Sequence, residues 1–229
     1  MMYSNSLKTI SLQAVKKRFL TGFLALLVFV LNLNNADAET LPTTKIFDSI
    51  TAYVGQGADH NLKQVPAAVL TGDIKWEKSY FTSVGLTKDR GTFGQGIKMF
   101  EGSGLASVRH GYEIVLVQHR GLQSNTEIGA AYMLKTPDLN VGPVGVNFGT
   151  GLGLSHAFGT PSYEDGPIND PGRRYRTQLL ILFDLEWRVR NLDNFSFIGR
   201  VHHRSGAYGL IAPRNVGSNF LAAGVRYAF

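Results

Sequence analysis

The residues best suited to chemistry lie in "GRVHHRSGAYG", positions 199–209, near the end of a 229-residue chain. This stretch sets His203 and Ser205 two positions apart. A serine hydroxyl is a weak nucleophile until a neighbouring base takes its proton, and imidazole is a common base for that step. His-x-Ser alone is a weak signal, and the stretch also reads as polar residues at the end of a strand. The six histidines, at 60, 110, 119, 156, 202 and 203, show no zinc-ligand spacing, and there is no cysteine. The elements that carry the pair must decide its role.

The first 38 residues read as an export signal. Lys16, Lys17 and Arg18 form a basic start, Phe19 to Leu33 an apolar run, and "ADA" at Ala36–Ala38 a small-x-small cleavage site. The apolar run is shorter than the roughly 20 residues of a spanning helix. The expected division is a signal peptide over 1–38, with an uncleaved anchor as the alternative, and one domain over 39–229. Residues 1–38 hold four of the 23 Lys and Arg and one of the 17 Asp and Glu, so the mature chain has net charge +3. So mild a charge, without basic stripes, argues against nucleic-acid binding. An exported chain without cysteine relies on burial and hydrogen bonding for stability.

Beyond residue 38 no long amphipathic helix is apparent. Segments of about ten residues alternate apolar and polar between Gly, Pro, Asn and Asp, which is a strand pattern. Strands are expected near 79–88, 96–108, 112–120, 125–135, 143–156, 176–190, 195–205 and 219–229, with weaker candidates at 48–57 and 67–76. In 176–190, Leu179, Ile181, Phe183, Leu185, Trp187 and Val189 share one face, and Gln178, Asp184, Glu186 and Arg188 the other. In 143–156 the second face is Asn147 and glycines. Glycines and charges of both signs suit the narrow inside of a small barrel, with the apolar face toward lipid. A closed barrel satisfies every backbone group, which an open sheet in a bilayer does not. The expected fold is all-β: an antiparallel, eight-stranded transmembrane barrel of the outer-membrane type. A periplasmic sandwich is the alternative. The aromatic end, Tyr227 and Phe229, resembles the assembly signal of bacterial outer-membrane barrels.

Such barrels have short periplasmic turns and longer external loops. "RNLDN" (Arg190–Asn194) and "PDLNVGP" (Pro137–Pro143) are short, while 157–175 and 206–218 are long. Strand 195–205 then runs outward. Parity puts Ser196, Arg200, His202 and Arg204 inside, and Phe195, Phe197, Val201, His203 and Ser205 outside. Asn219 has the same outward parity on the next strand. Interior Asp184, Glu186, Arg188, Arg200 and Arg226 read as a structural charge network.

"HHRSGAYGLI" followed by "GSNFLAAGVRYAF" resembles the C-terminal signature of the lipid A 3-O-deacylase family, also called acyloxyacyl hydrolase-like proteins. The match covers about residues 199–229, and "WEKSYFTSVGL" (Trp76–Leu86) extends it more weakly. The resemblance implies a small outer-membrane barrel, a carboxylic ester hydrolase that removes an ester-linked 3-hydroxyacyl chain from lipopolysaccharide. Its site would lie on the outer wall, facing the outer leaflet, and use Ser, His and an acid, with no cofactor and no metal. The family motif is His-x-Ser-Asn-Ala with a Glu at the start of the last strand. His203, Ser205 and Ala207 match; Gly206 replaces the Asn and Asn219 stands nearest the Glu. Ser205 would attack, His203 would take its proton, and Asn219 would orient the imidazole. Glu164 or Asp165 is an alternative third group. Backbone N–H groups around Gly206 and Ala207 would support the oxyanion. Arg173, Arg174, Arg204 and Arg214 are candidates for lipid A phosphates, or for pairing with Glu164, Asp165 and Asp170. Lipid A, the outer membrane and a second copy of the chain are the expected partners. The competing reading is a non-catalytic barrel with a structural or envelope-interaction role.

Overall fold

The computed structural model describes residues 45–92, 94, 98–100, 102–164, 175–192, 194–213 and 216–229. The proposed signal peptide, Asp165, Asp170, Arg173, Arg174 and Arg214 lie outside them. One antiparallel sheet contains β1 (Ser49–Ala58), β2 (Trp76–Thr92), β3 (Arg109–Gly121), β4 (Thr126–Lys135), β5 (Leu139–Val141), β6 (Val144–Phe158), β7 (Thr177–Val189), β8 (Phe195–Ser205) and β9 (Gly217–Ala228). Each strand pairs with its neighbours, and β1 pairs with β9 from Ser49↔Ala228 to Gly57↔Phe220, so the sheet closes on itself. β4 and β5 are two halves of one stave. Both pair with β6, at Lys135↔Gly149 and Leu139↔Val146. Pro137 between them has no N–H to give the ladder. The result is an eight-stranded barrel.

The alternation holds through β6, β7, β8 and β9. Outward residues such as Leu116, Leu152, Leu154, Leu185 and Phe197 are exposed on the outer wall. Ring pairs Phe195–Tyr227 and Tyr112–Tyr132, with centroids 5.0 and 5.4 Å apart, sit on this wall toward the rim of the Arg190–Asn194 turn. Inside, Arg200 Nε and Nη2 each lie 2.7 Å from an Asp184 oxygen, and its guanidinium also forks onto Glu113. Arg226 Nη1 meets Glu186 at 2.7 Å, and Arg188 Nη1 meets Asp138 at 3.0 Å. Tyr53, Phe81, Met133, Leu180, Leu182 and Phe220 belong to an apolar cluster within the same interior. In water so apolar an outer face would be unfavourable; in lipid, with paired charges within, it is the arrangement a bilayer requires.

Of the two weaker strand candidates one holds and one does not, and one of the eight expected strands fails. Residues 48–57 do form a strand, β1, and it is needed to close the barrel. Residues 67–76 do not: α1 (Val65–Thr71) occupies the first half of that stretch, begun by Pro66 near its N-terminus and ended by Gly72 in the left-handed conformation (φ 78°). Residues 96–108 are not a strand in their described part, which holds 3-10 turns at Lys98–Phe100 and Gly104–Ser107. Their apolar residues come in adjacent pairs, Met99–Phe100 and Leu105–Ala106, which a period of two cannot place on one face. The long 93–108 connection also lies at the same rim as the 190–194 turn, so the connections at that rim are not all short.

Candidate functional site on the outer wall

The barrel seam brings the expected residues together. β8 and β9 pair through His203↔Asn219, Arg204↔Ser218 and Ser205↔Gly217. The burial of Arg204 and His202 and the partial exposure of His203 and Ser205 match the parity read from the sequence. His203 and Ser205 thus project from the outer wall near the rim that carries the 59–75 and 206–216 connections.

His203 Nδ1 lies 2.8 Å from Asn219 Oδ1 and 3.1 Å from the Ser218 carbonyl oxygen. Both are acceptors, so Nδ1 carries the proton and Nε2 keeps its lone pair. Asn219 is itself pinned: its Nδ2 donates to the His60 carbonyl at 2.6 Å, and the residue is 7% exposed. The amide uses both ends. Its oxygen sets the imidazole tautomer, and its nitrogen ties β9 to the β1–β2 connection. A carboxylate here would orient the ring but would face the His60 carbonyl with no proton to offer.

Ser205 Oγ accepts the Ala207 N–H at 3.1 Å. Among the described residues no hydrogen bond joins His203 to Ser205. Ala207 and Tyr208 both have positive φ, 53° and 56°, a costly conformation for residues with a Cβ. Gly206 before them is right-handed (φ −71°). A right-handed residue followed by a left-handed one turns successive N–H groups toward one point, a concavity suited to anions. The Gly206 N–H is spent on the Val216 carbonyl at 3.1 Å, so the donor at the hydroxyl is the Ala207 N–H, not that of Gly206. Gly206 has a separate necessity. A Cβ there would collide with the carbonyl oxygens of Ala212 and Pro213. The Asn of the resembled motif does not fit this loop.

Glu164 is not the third group. It sits inside the barrel, 2% exposed, with its Oε2 2.5 Å from Arg204 Nη1 and 2.7 Å from Gln178 Nε2. Arg204 is fully buried and donates to Glu164, to Ser155 Oγ at 2.8 Å and to the Arg176 carbonyl at 2.7 Å, so it offers nothing to a lipid phosphate. The role of His60 had no sequence signal, because a backbone carbonyl carries no residue type.

No protein-family model and no curated protein matches the chain. Solved structures do. The outer-membrane enzyme PagL is 13% identical, with a TM-score of 0.51, over 79% of this chain and 99% of that chain. Neisserial surface protein A is 12% identical, with a TM-score of 0.45, over 79% and 96%. The N-terminal β-barrel domain of Pseudomonas aeruginosa OprF is 8% identical, with a TM-score of 0.36, over 80% and 98%. At such identities the likeness to PagL speaks to architecture, and it agrees with the strand pairing: this chain is a closed, antiparallel, eight-stranded β-barrel of the outer-membrane type.

Proposed function

We propose that the chain is an outer-membrane esterase that removes an ester-linked 3-hydroxyacyl chain from lipid A. Ser205 is the nucleophile, His203 the base and Asn219 the orienting group. The observation that carries this reading is the imidazole on the apolar outer wall, held at Nδ1 by Asn219 and Ser218 with Nε2 left unprotonated. An acylated lipid meets such a site from the bilayer itself. The rim with the 59–75 and 206–216 connections then faces the outside of the cell.

The chemistry follows from the tautomer. Ser205 Oγ bonds to the acyl carbonyl carbon as Nε2 takes the hydroxyl proton. The Ala207 N–H, held on Ser205 Oγ in the resting site, passes to the developing oxyanion as the hydroxyl attacks. The imidazolium returns its proton to the leaving sugar oxygen, which breaks the ester and leaves an acyl-serine. Water, deprotonated by Nε2, then releases the fatty acid and restores Ser205. Asn219 offers a dipole and no charge to the imidazolium, so the rate should lie below that of a carboxylate triad.

The second reading, a barrel without catalysis, draws on the missing hydrogen bond between His203 and Ser205 and on an amide built into the wall by His60. Mass spectrometry of lipid A from outer membranes carrying the chain separates the two. The esterase reading expects loss of one 3-hydroxyacyl chain with the wild type and none with Ser205→Ala or His203→Ala. Unchanged lipid A beside a folded wild-type barrel would overturn it.

A further inference from the structure

Both sides of the ladder step that carries His203, Ser205 and Asn219 are held, and on the inner side one carboxylate bridges the two strands. Glu164 ends the 3-10 turn Ser162–Glu164 in the β6–β7 connection and reaches down into the barrel. Its Oε2 accepts from Arg204 Nη1 and Gln178 Nε2; its Oε1 accepts from Ser218 Oγ at 2.9 Å and Gln123 Nε2 at 3.3 Å. Two of these four donors border the outer site directly. Arg204 lies between His203 and Ser205 in the chain, and Ser218 precedes Asn219. Arg204 and Ser218 are also partners across the ladder. Ser218 spans the wall: its hydroxyl bonds Glu164 inside, and its carbonyl accepts from His203 Nδ1 outside. The turn that delivers Glu164 is itself fixed, by Ser162 Oγ on the Leu122 carbonyl at 2.8 Å and by the Tyr163 ring against Phe220.

Resting on the esterase reading, we propose that Glu164 is a positioning residue: from inside the barrel it sets the separation and tilt of β8 and β9 at the step where His203, Ser205 and Asn219 stand outside. It touches neither substrate nor any reacting atom. A strand pair of alternating parity transmits such a constraint, because fixing residues 204 and 218 on the inner face fixes the Cα–Cβ directions of 203, 205 and 219 on the other.

The test uses the full chain in detergent micelles, with folding followed by the gel shift between unheated and boiled barrel. Glu164→Gln keeps the size and removes the charge that draws in Arg204; Ser218→Ala removes the direct link and leaves the Arg204 pair. Two readouts are taken: steady-state deacylation of lipid A, and the ¹⁵N signals of the His203 imidazole, assigned by their loss in His203→Ala. For folded Glu164→Gln the expected kcat falls on the order of 10- to 100-fold with KM nearly unchanged, the size of effect that displaced catalytic groups produce. Its His203 signals should move from the pure Nδ1–H form to a mixture of tautomers. Ser218→Ala should shift both readouts in the same direction by less, and it decides the matter if Glu164→Gln does not fold. Folded variants with wild-type kcat and wild-type imidazole signals would overturn the proposal. If the wild type itself leaves lipid A intact, the esterase reading fails on its own, and the ¹⁵N signals alone then decide whether Glu164 sets the geometry of His203.

Discussion

His202 and His203 are consecutive residues on β8 and meet opposite chemistry. His202 points inward, where its Nε2 lies 3.1 Å from Glu127, whose other oxygen meets His119 at 2.9 Å; Arg204 stands 3.6 Å from the same carboxylate. His203 points outward and bonds a neutral amide. Within the wall, formal charges are answered by formal charges, since an unpaired ion cut off from water is costly. Outside, a dipole suffices to fix a tautomer and leaves a basic nitrogen open. One strand therefore carries an imidazole tied to a buried carboxylate and one with an open ring nitrogen, and the partner, not the residue, makes the difference.

The sharpest way to break this contrast is to remove the outer pair. Ser205→Ala and His203→Ala should each lower deacylation by on the order of 10³-fold or more, as loss of a triad member does, while the folded gel band persists. An inner substitution should do the reverse. Arg200→Met strands Glu113 and Asp184 in the interior. The cost expected for a broken buried pair is about 3–5 kcal/mol, read as an earlier midpoint of urea unfolding in micelles. Asn219→Asp sharpens the comparison further. It should destabilise by about 1–3 kcal/mol at pH 7, because an oxygen replaces the donor to His60. A wild-type unfolding midpoint in this variant would contradict the donation from Asn219 Nδ2 to the His60 carbonyl. The smallest effect belongs to a pair at the water-facing rim. Desolvation raises the pKa of Asp48, but its hydrogen bonds to Lys88 Nζ and the Asp89 N–H outweigh this and hold it below the usual carboxylate range. Its contribution is present above the unfolded pKa and is lost as pH falls through the folded one. Asp48→Asn should shift the neutral-pH midpoint by under about 1 kcal/mol, as exposed pairs do.

The period-two pattern of β6 to β9 made those strands, and the side each residue faces, legible from the chain alone. It did so because one face meets side chains of both charges and the other meets an apolar medium. The pattern misled where local chemistry competed with it. Pro66 and Gly72 turn "VPAAVLT" into a helix, and paired rather than alternating apolar residues leave 96–108 out of the sheet. The candidate pair and the outward parity of Asn219 were readable from spacing; what Asn219 does with its second end was not. Its partner is a carbonyl 159 residues away in the chain, and every residue but its own neighbours offers the same carbonyl. The inward turn of Glu164 is hidden for a similar reason: a loop residue has no parity, so nothing in the sequence says which way its side chain points.

The seam between β1 and β9 has a consequence for biogenesis. Asn219 is anchored by the connection that follows β1, and it lies on β9, 159 residues further along the chain than its partner. Pairings of such sequence separation form late, after the loop entropy between them has been overcome. An unclosed intermediate carries His203 and Ser205 without the anchored amide that sets their geometry. The candidate site is completed by the same event that seals the cylinder, so on the proposed esterase reading activity should appear only with barrel closure.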